Sequence, residues 1–294
     1  MEGQKIVKEQ KYEIIDQESF ELKDIFDCGQ CFRWNEQEDG SYTGVFKGNV
    51  LNVKKVDNKI IFKGLVNGDI KDVVYEYFDL ERNYTEIKSK LAKVDKYMKT
   101  SVEYGNGIRI LNQDLIETIL AFIISANNNI PRIKGIIERL SEKYGNKIIW
   151  NKRSYYTFPT LEELKYVTVQ DYRNLGAGFR DKRLFETVQM LLNNEIDIKK
   201  LYLEKDTSKV KDELLRLPGV GPKVADCILL FSDLKRLDVF PIDVWVRRVM
   251  NELYLKNPDE TKVNKKEIEK IAFKKFGNLE GIAQQYLFYW KREA

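Results

Sequence analysis

The residues best placed to do covalent chemistry in this chain are a lysine and an aspartate, each expected at the start of a helix. Lys223 lies in the stretch Leu217-Pro218-Gly219-Val220-Gly221-Pro222-Lys223-Val224-Ala225-Asp226-Cys227. Val210, Leu214 and Leu215 before it, and Val224, Ile228 and Phe231 after it, recur at helical spacing, so residues 207–232 read as helix, tight turn, helix. Pro218 lacks an N–H and ends the first helix. Gly219 and Gly221 can take positive φ and leave backbone N–H groups uncovered. Pro222 suits the first turn of the second helix. That helix start carries unpaired N–H groups and a partial positive charge, a seat for phosphate. A lysine in the same turn opposes the dipole. The dipole and any burial would lower its pKa and release a neutral, nucleophilic amine. The alternative is a phosphate clamp without catalysis. Asp243, in Phe240-Pro241-Ile242-Asp243-Val244-Trp245, stands where a further helix begins, and its plainer role is the N-cap.

Composition narrows the chemistry further. The chain has 294 residues, enough for two or three domains. Charged residues make up 33% and hydrophobic ones 43%, as in a water-soluble globular protein, and the net charge of +4 permits a polyanionic partner without demanding one. No run approaches the ~20 apolar residues of a membrane span. No apolar signal region follows Met1-Glu2-Gly3-Gln4-Lys5. The expectation is a cytoplasmic protein. There is no histidine, which excludes Ser-His-Asp and Cys-His catalysis and His-ligated metals. Cys28, Cys31 and Cys227 are too few for an iron–sulfur cluster held by four thiolates. Cys28-Gly29-Gln30-Cys31 has the spacing of a zinc or redox pair but lacks the further ligands zinc needs. The remaining readings are a redox pair, or two incidental thiols flanking a useful glycine.

The positioning elements fall into two regions, giving an α+β class. Up to about residue 80 the pattern has period two. Tyr42–Phe46, Val50–Val53 and Ile60–Phe62 read as antiparallel strands, with turns at Lys47-Gly48-Asn49 and Asp57-Asn58. Asp69 caps a helix that buries Ile70, Val73, Val74, Tyr77 and Phe78. From about residue 85 the chain reads as almost wholly helical. Asp114 with Glu117, and Thr160 with Glu163, are capping signals. Gly145 and Gly176 read as helix stops, and Pro131 as a helix opener. The boundaries expected are 1–109 for the sheet domain and 110–294 for the helical one.

The hairpin with Lys223 and Asp243 resembles the helix-hairpin-helix DNA glycosylase superfamily. Further segments, in order, resemble its 8-oxoguanine DNA glycosylase/lyase branch: Gly29-Gln30-Cys31-Phe32-Arg33-Trp34, Ser125-Ala126-Asn127-Asn128-Asn129-Ile130-Pro131-Arg132, Leu175-Gly176-Ala177-Gly178-Phe179-Arg180, and Gly281-Ile282-Ala283-Gln284-Gln285-Tyr286-Leu287-Phe288. The resemblance covers most of the chain. It implies that Lys223 attacks the sugar C1′ and that Asp243 supports the nucleophile and the developing oxocarbenium charge. It implies that the Gly29 carbonyl accepts from N7–H of the oxidised base. Gln284 would pair with that base's Watson–Crick edge, while Cys227 and Phe288 sandwich it. Plain core packing is the alternative for the last two.

The resemblance further implies duplex DNA as partner, contacted by Asn127, Arg132, Phe179, Arg180, Gly219, Gly221 and Trp245. Arg132, Arg180 and Asn127 would read a cytosine opposite the lesion; the alternative for both arginines is phosphate binding. It implies a monomeric, DNA-associated bacterial enzyme needing no cofactor, with a monovalent cation at the carbonyls of Leu215, Leu217 and Val220. Three residues depart from the family pattern: Trp245 stands where the eukaryotic members carry histidine, Phe179 replaces the wedge tyrosine, and Pro222 removes one N–H. The rival readings are a non-catalytic hairpin module and a glycosylase for another damaged base. The thymine-glycol and mismatched-adenine branches usually carry a C-terminal four-cysteine motif, and no cysteine follows Cys227.

Overall fold

The computed structural model describes residues 8–15, 20–259 and 262–293; the chain start, and with it the reading of Met1 to Lys5, lies outside them. Five strands form an antiparallel sheet: β1 (Glu9–Ile15), β2 (Trp34–Glu36), β3 (Tyr42–Phe46), β4 (Asn49–Val56) and β5 (Lys59–Leu65), in the order β1-β5-β4-β3-β2. The expected strands are β3, β4 and β5. Two-residue turns at Lys47-Gly48 and Asp57-Asn58 join them, with positive φ at Lys47, Gly48 and Asp57, as the twist of a tight hairpin requires. The edge strands β1 and β2 add to that expectation. β1 has no fully buried residue, and β2 has three residues in all.

Gly44 pairs with Trp34 across β2 and β3. A Cβ on Gly44 would lie 2.3 Å from the indole, so glycine lets the ring lie across the strand. Trp34 stacks on Phe26 at 4.2 Å, and Phe46 stacks on Tyr77 at 3.8 Å. Each such pair contributes about 0.5–1.5 kcal/mol beyond its buried area. Tyr77 ends the helix Ile70–Tyr77, which Asp69 caps by accepting from the Lys71 amide.

The region beyond residue 85 is not wholly helical. β6 (Lys147–Trp150) and β7 (Arg153–Tyr156) form a hairpin. Its Trp150 packs on Val45 and Val50 of the sheet and donates from Nε1 to Glu9 at 2.7 Å. Tertiary packing on the sheet, which local pattern does not report, decides this element. Asp114 accepts from the Glu117 amide, Thr160 and Glu163 form a full capping box, and Gly145 ends the helix Ile130–Tyr144.

Helices Tyr84–Ala92 and Lys96–Tyr104 precede residue 109. They nonetheless bury Tyr84, Ile87, Leu91, Met98 and Val102 in the helical core. The last helix, Glu280–Glu293, packs on Lys96–Tyr104. The segment after Phe26 threads between the two cores: Cys28 and Phe32 belong to the helical one, Cys31 and Trp34 to the sheet. Gly29 is therefore held where the two halves meet. Among the described residues, no helix is long and apolar enough to cross a membrane.

Candidate active site

The hairpin consists of helix Thr207–Leu214, a turn, and helix Pro222–Phe231. Gly219 has φ +90°, and Arg183 and Ile123 occupy the space its Cβ would need. Thr187 Oγ1 donates to the Pro218 carbonyl at 3.0 Å and fixes the turn. Gly221 is the N-cap, with no side chain over the helix start and open space beside it. The first-turn amides are thus left to a ligand.

Lys223 is half-buried, its ammonium 5.4 Å from the centre of the Phe122 ring. The expected lowering of its pKa does not occur. The Cys227 sulfur, and after it the Asp243 carboxylate, hold the ammonium above the ordinary lysine value and outweigh burial. Two acidic groups from separate helices share the pocket with Lys223, and neither is apparent from the helix start alone. Cys227 is itself pushed up to about 11 by burial, so it is a thiol at neutral pH and carries charge only in the alkaline range where Lys223 also titrates; at neutral pH Asp243 is the charged partner. Asp243 caps helix Val244–Met250, accepting from the Val246 amide at 2.7 Å. One side chain therefore fills both the structural and the electrostatic position.

Gly29, Lys223, Cys227, Asp243, Gln284 and Phe288 line one pocket, together with Phe122, Phe231 and Gln285 among others. They leave about 50 Å³, room for a few water molecules. Gln284 is buried, and its Oε1 has no hydrogen-bond partner. Such an orphan costs about 1–3 kcal/mol, and it lies in the pocket where a ligand donor would satisfy it. Gly29 has φ +87°, and a Cβ there would crowd Arg292 Nη1 at 3.2 Å and touch the Phe288 ring at 3.7 Å.

The Gly29 loop is braced from both sides. Gln285 Nε2 donates to the Cys28 carbonyl at 2.6 Å. Gln30 donates to the Ile25 and Arg109 carbonyls and accepts from the Leu111 amide. Gln113 donates to the Gln30 carbonyl, and Arg292 to that of Asp27. Sequence reasoning named Gln30 and Gln285 only as parts of motifs; that Gln30, and Gln285 from the last helix, are buried against the Gly29 loop shows only in three dimensions. Cys28 and Cys31 are buried, and burial pushes Cys28 up to about 12 and Cys31 well above the ordinary thiol value. They are inert thiols flanking the glycine.

The remaining residues form a second group at the hairpin's flank. Asn127 has φ +50°, and its carbonyl accepts from Arg180 Nη2 at 2.8 Å. Asn129 caps the helix that carries Arg132, and Arg132 Nη2 donates to the Gly176 carbonyl at 3.3 Å. Phe179 is 55% exposed and Trp245 39%. Arg180 is buried, with burial and the neighbouring charges of Arg132 and Arg183 depressing its pKa. The structure thus makes Arg180 more a clasp of the asparagine turn than a free reader.

Comparison with known proteins bears on this geometry. Residues 14–119 match the family described as 8-oxoguanine DNA glycosylase, N-terminal domain, and residues 120–276 match the HhH-GPD superfamily base excision DNA repair proteins. The chain belongs to the HhH-GPD superfamily. A Clostridium acetobutylicum 8-oxoguanine glycosylase/lyase, solved with double-stranded DNA containing cytosine opposite 8-oxoguanine, superposes on this HhH-GPD chain with a TM-score of 0.88. It is 46% identical over 94% of this chain and 93% of that one. MBOgg1, solved with a low-affinity DNA ligand, gives a TM-score of 0.90 at 45% identity, covering 96% of each chain. The N-glycosylase/DNA lyase of Saccharomyces cerevisiae is 30% identical over 91% of this chain and 82% of its own length.

Proposed function

We propose that the protein is a bifunctional DNA glycosylase and abasic-site lyase that excises 8-oxoguanine from duplex DNA in base excision repair. The carrying observation is the single pocket that holds Lys223, Asp243, the unpartnered Gln284 Oε1 and Gly29 together. The glycosidic bond cannot be reached within the stack, so the damaged nucleotide must be extruded. The free pocket is too small for a purine, so the base enters as half-buried Phe288 gives way. Guanine accepts at N7, whereas its oxidised form donates there. The Gly29 carbonyl, which has no donor among the described residues, reads that difference. Gln284 supplies both an acceptor and a donor to the opposite edge.

Lys223 rests as an ammonium and must lose a proton before it attacks. Its amine then adds to C1′ as the C1′–N9 bond breaks, the electron pair and a proton going to the departing base. Asp243 stabilises the positive charge that develops on the sugar. Ring opening gives a Schiff base between Lys223 and C1′. Loss of the C2′ proton then expels the 3′ phosphate and cuts the strand.

None of these steps needs a cofactor. A monovalent cation at the hairpin is part of the proposal. Its donors would be backbone carbonyls of the kind hard cations prefer. Those of Leu215 and Val220 have no donor among the described residues, and that of Leu217 accepts from the Val220 amide at 3.0 Å. Preference for cytosine opposite the lesion also belongs to this reading.

The test is excision on defined lesion duplexes with borohydride trapping. Lys223→Gln should bind the lesion duplex yet neither excise nor trap. Excision by that variant would remove Lys223 as nucleophile. Binding without trapping by the unmodified protein would leave a hairpin binding module, and trapping only on another lesion would reassign the substrate.

A further inference from the structure

Three guanidinium groups crowd the flank of the hairpin without a carboxylate among them. Arg132 and Arg183 are both close enough to depress the pKa of Arg180. Neighbouring acids are engaged elsewhere: Asp181 pairs with Arg173 at 2.7 Å, and Glu186 with Lys182 at 3.5 Å. Arg183, in the helix Asp181–Leu192, is exposed, and its guanidinium makes no hydrogen bond or ion pair among the described residues. It is nonetheless held in place. Its stem covers the bare face of Gly219, with Cδ 3.1 Å from where a Cβ would sit, and its guanidinium lies 5.4 Å from the centre of the Phe179 ring. One side chain therefore spans from the hairpin turn to the exposed aromatic of the wedge loop. Like charges set this close, with no counterion from the protein, call for an anion from outside.

We propose that Arg183 seats a lesion-strand phosphodiester between the wedge and the hairpin, and that only a kinked duplex presents this phosphate. The inference rests on the glycosylase reading. Phe179 can enter the stack only where it is opened, and opening at an extruded nucleotide bends the duplex. A straight duplex lying on the hairpin amides would be blocked by the projecting ring and would leave Arg183 unsatisfied. The residue thus adds affinity where the helix is already broken, and little on intact DNA.

The experiment is fluorescence anisotropy across a salt series, with a duplex carrying a tetrahydrofuran abasic analogue and an undamaged duplex of the same sequence. Arg183→Met should weaken the analogue duplex about tenfold, the loss of one charge-assisted hydrogen-bonded contact. It should also reduce the slope of log K against log salt by about 0.9, one phosphate. The undamaged duplex should change by less than about twofold, and Arg183→Lys should restore the slope. Lys182→Met removes the same charge from the neighbouring position and should change neither duplex. Equal weakening of both duplexes by Arg183→Met, or no weakening of either, would overturn the proposal. Loss confined to the analogue duplex, in a protein that fails to excise 8-oxoguanine, would support the seat and overturn the substrate instead.

Discussion

Asp243→Asn separates the two positions that Asp243 fills. The native carboxylate caps helix Val244–Met250 through one oxygen, 2.7 Å from the Val246 amide. Asparagine presents an oxygen of the same geometry and caps about as well, so stability should hold within about 0.5 kcal/mol, whereas Asp243→Ala should lose about 1 kcal/mol. What asparagine cannot supply is charge. One preorganised group facing the charge of a transition state is worth about 2.7–4 kcal/mol, a fall in rate of about 10²–10³.

A second effect opposes this loss. The carboxylate is one of the two groups that hold the Lys223 ammonium above the ordinary lysine value. Without it the lysine loses its proton at lower pH, and more free amine is present at neutrality. Below both lysine values that gain is a constant factor, so the deficit should be level through the neutral range and grow only above the pH at which the variant's lysine, but not yet the native one, has lost its proton. Single-turnover excision from pH 6 to pH 9.5, with a thermal melt of each variant, measures both effects. A rate at high pH within about threefold of the native one would refute the reasoning, since a charge that matters at the reacting carbon costs far more than that.

Two further outcomes follow from buried groups. Burial pushes Glu117 up to about 7 from an ordinary 4.5, against the pull of Arg33. The folded state then binds the extra proton, so this contribution is full below pH 4.5 and is lost as pH rises through 7. Burial pushes Lys235 down to about 7 from an ordinary 10.5, against the pull of Asp79. Here the unfolded state binds the extra proton, so stability rises between pH 7 and 10.5. These two groups alone give a trough near pH 7 in urea-unfolding free energy; Glu117→Gln should flatten its acid side and Lys235→Met its alkaline side. Gln284→Leu removes a buried, unpartnered oxygen and should stabilise the fold by about 1 kcal/mol while abolishing preference for the lesion duplex. A destabilised Gln284→Leu protein would mean that the amide is already satisfied in the free state.

Legibility in the sequence followed the range of each interaction. The strands β3, β4 and β5 and the caps at Asp69, Asp114 and Thr160 are local, set by alternation and by side chains reaching amides two or three residues on. The β6–β7 hairpin was not legible, because Trp150 is held by Val45, Val50 and Glu9 from the other end of the chain. The members of the pocket could be named from motif resemblance, but the sign of the Lys223 shift could not. That sign depends on Cys227 one turn away and on Asp243 from another helix outweighing burial. Arg183 carried no local signal at all, since its contacts are a glycine turn and a ring on separate elements.

The Arg180 geometry changes how a base opposite the lesion can be read. Of the five N–H donors on a guanidinium, Arg180 commits four to the carbonyls of Ala126, Asn127 and Ala177. Only one remains for cytosine. Arg132 makes a single long bond at 3.3 Å to the Gly176 carbonyl and keeps the rest of its donors. Cytosine offers O2 and N3 as adjacent acceptors, whereas adenine sets its N6 donor against a guanidinium. On the proposed reading, discrimination would depend mainly on Arg132, with Arg180 holding Asn127 in its left-handed conformation. Arg132→Met should narrow the difference between the two duplexes chiefly by slowing excision opposite cytosine, by about ten- to a hundredfold if a bidentate contact is lost. Arg180→Met should instead lower the melting temperature and weaken binding to both duplexes alike, because it releases the turn. Single-turnover rates opposite cytosine and adenine, set beside the melts, decide the assignment. A selective loss in Arg180→Met with an unchanged melting temperature would reverse the two roles.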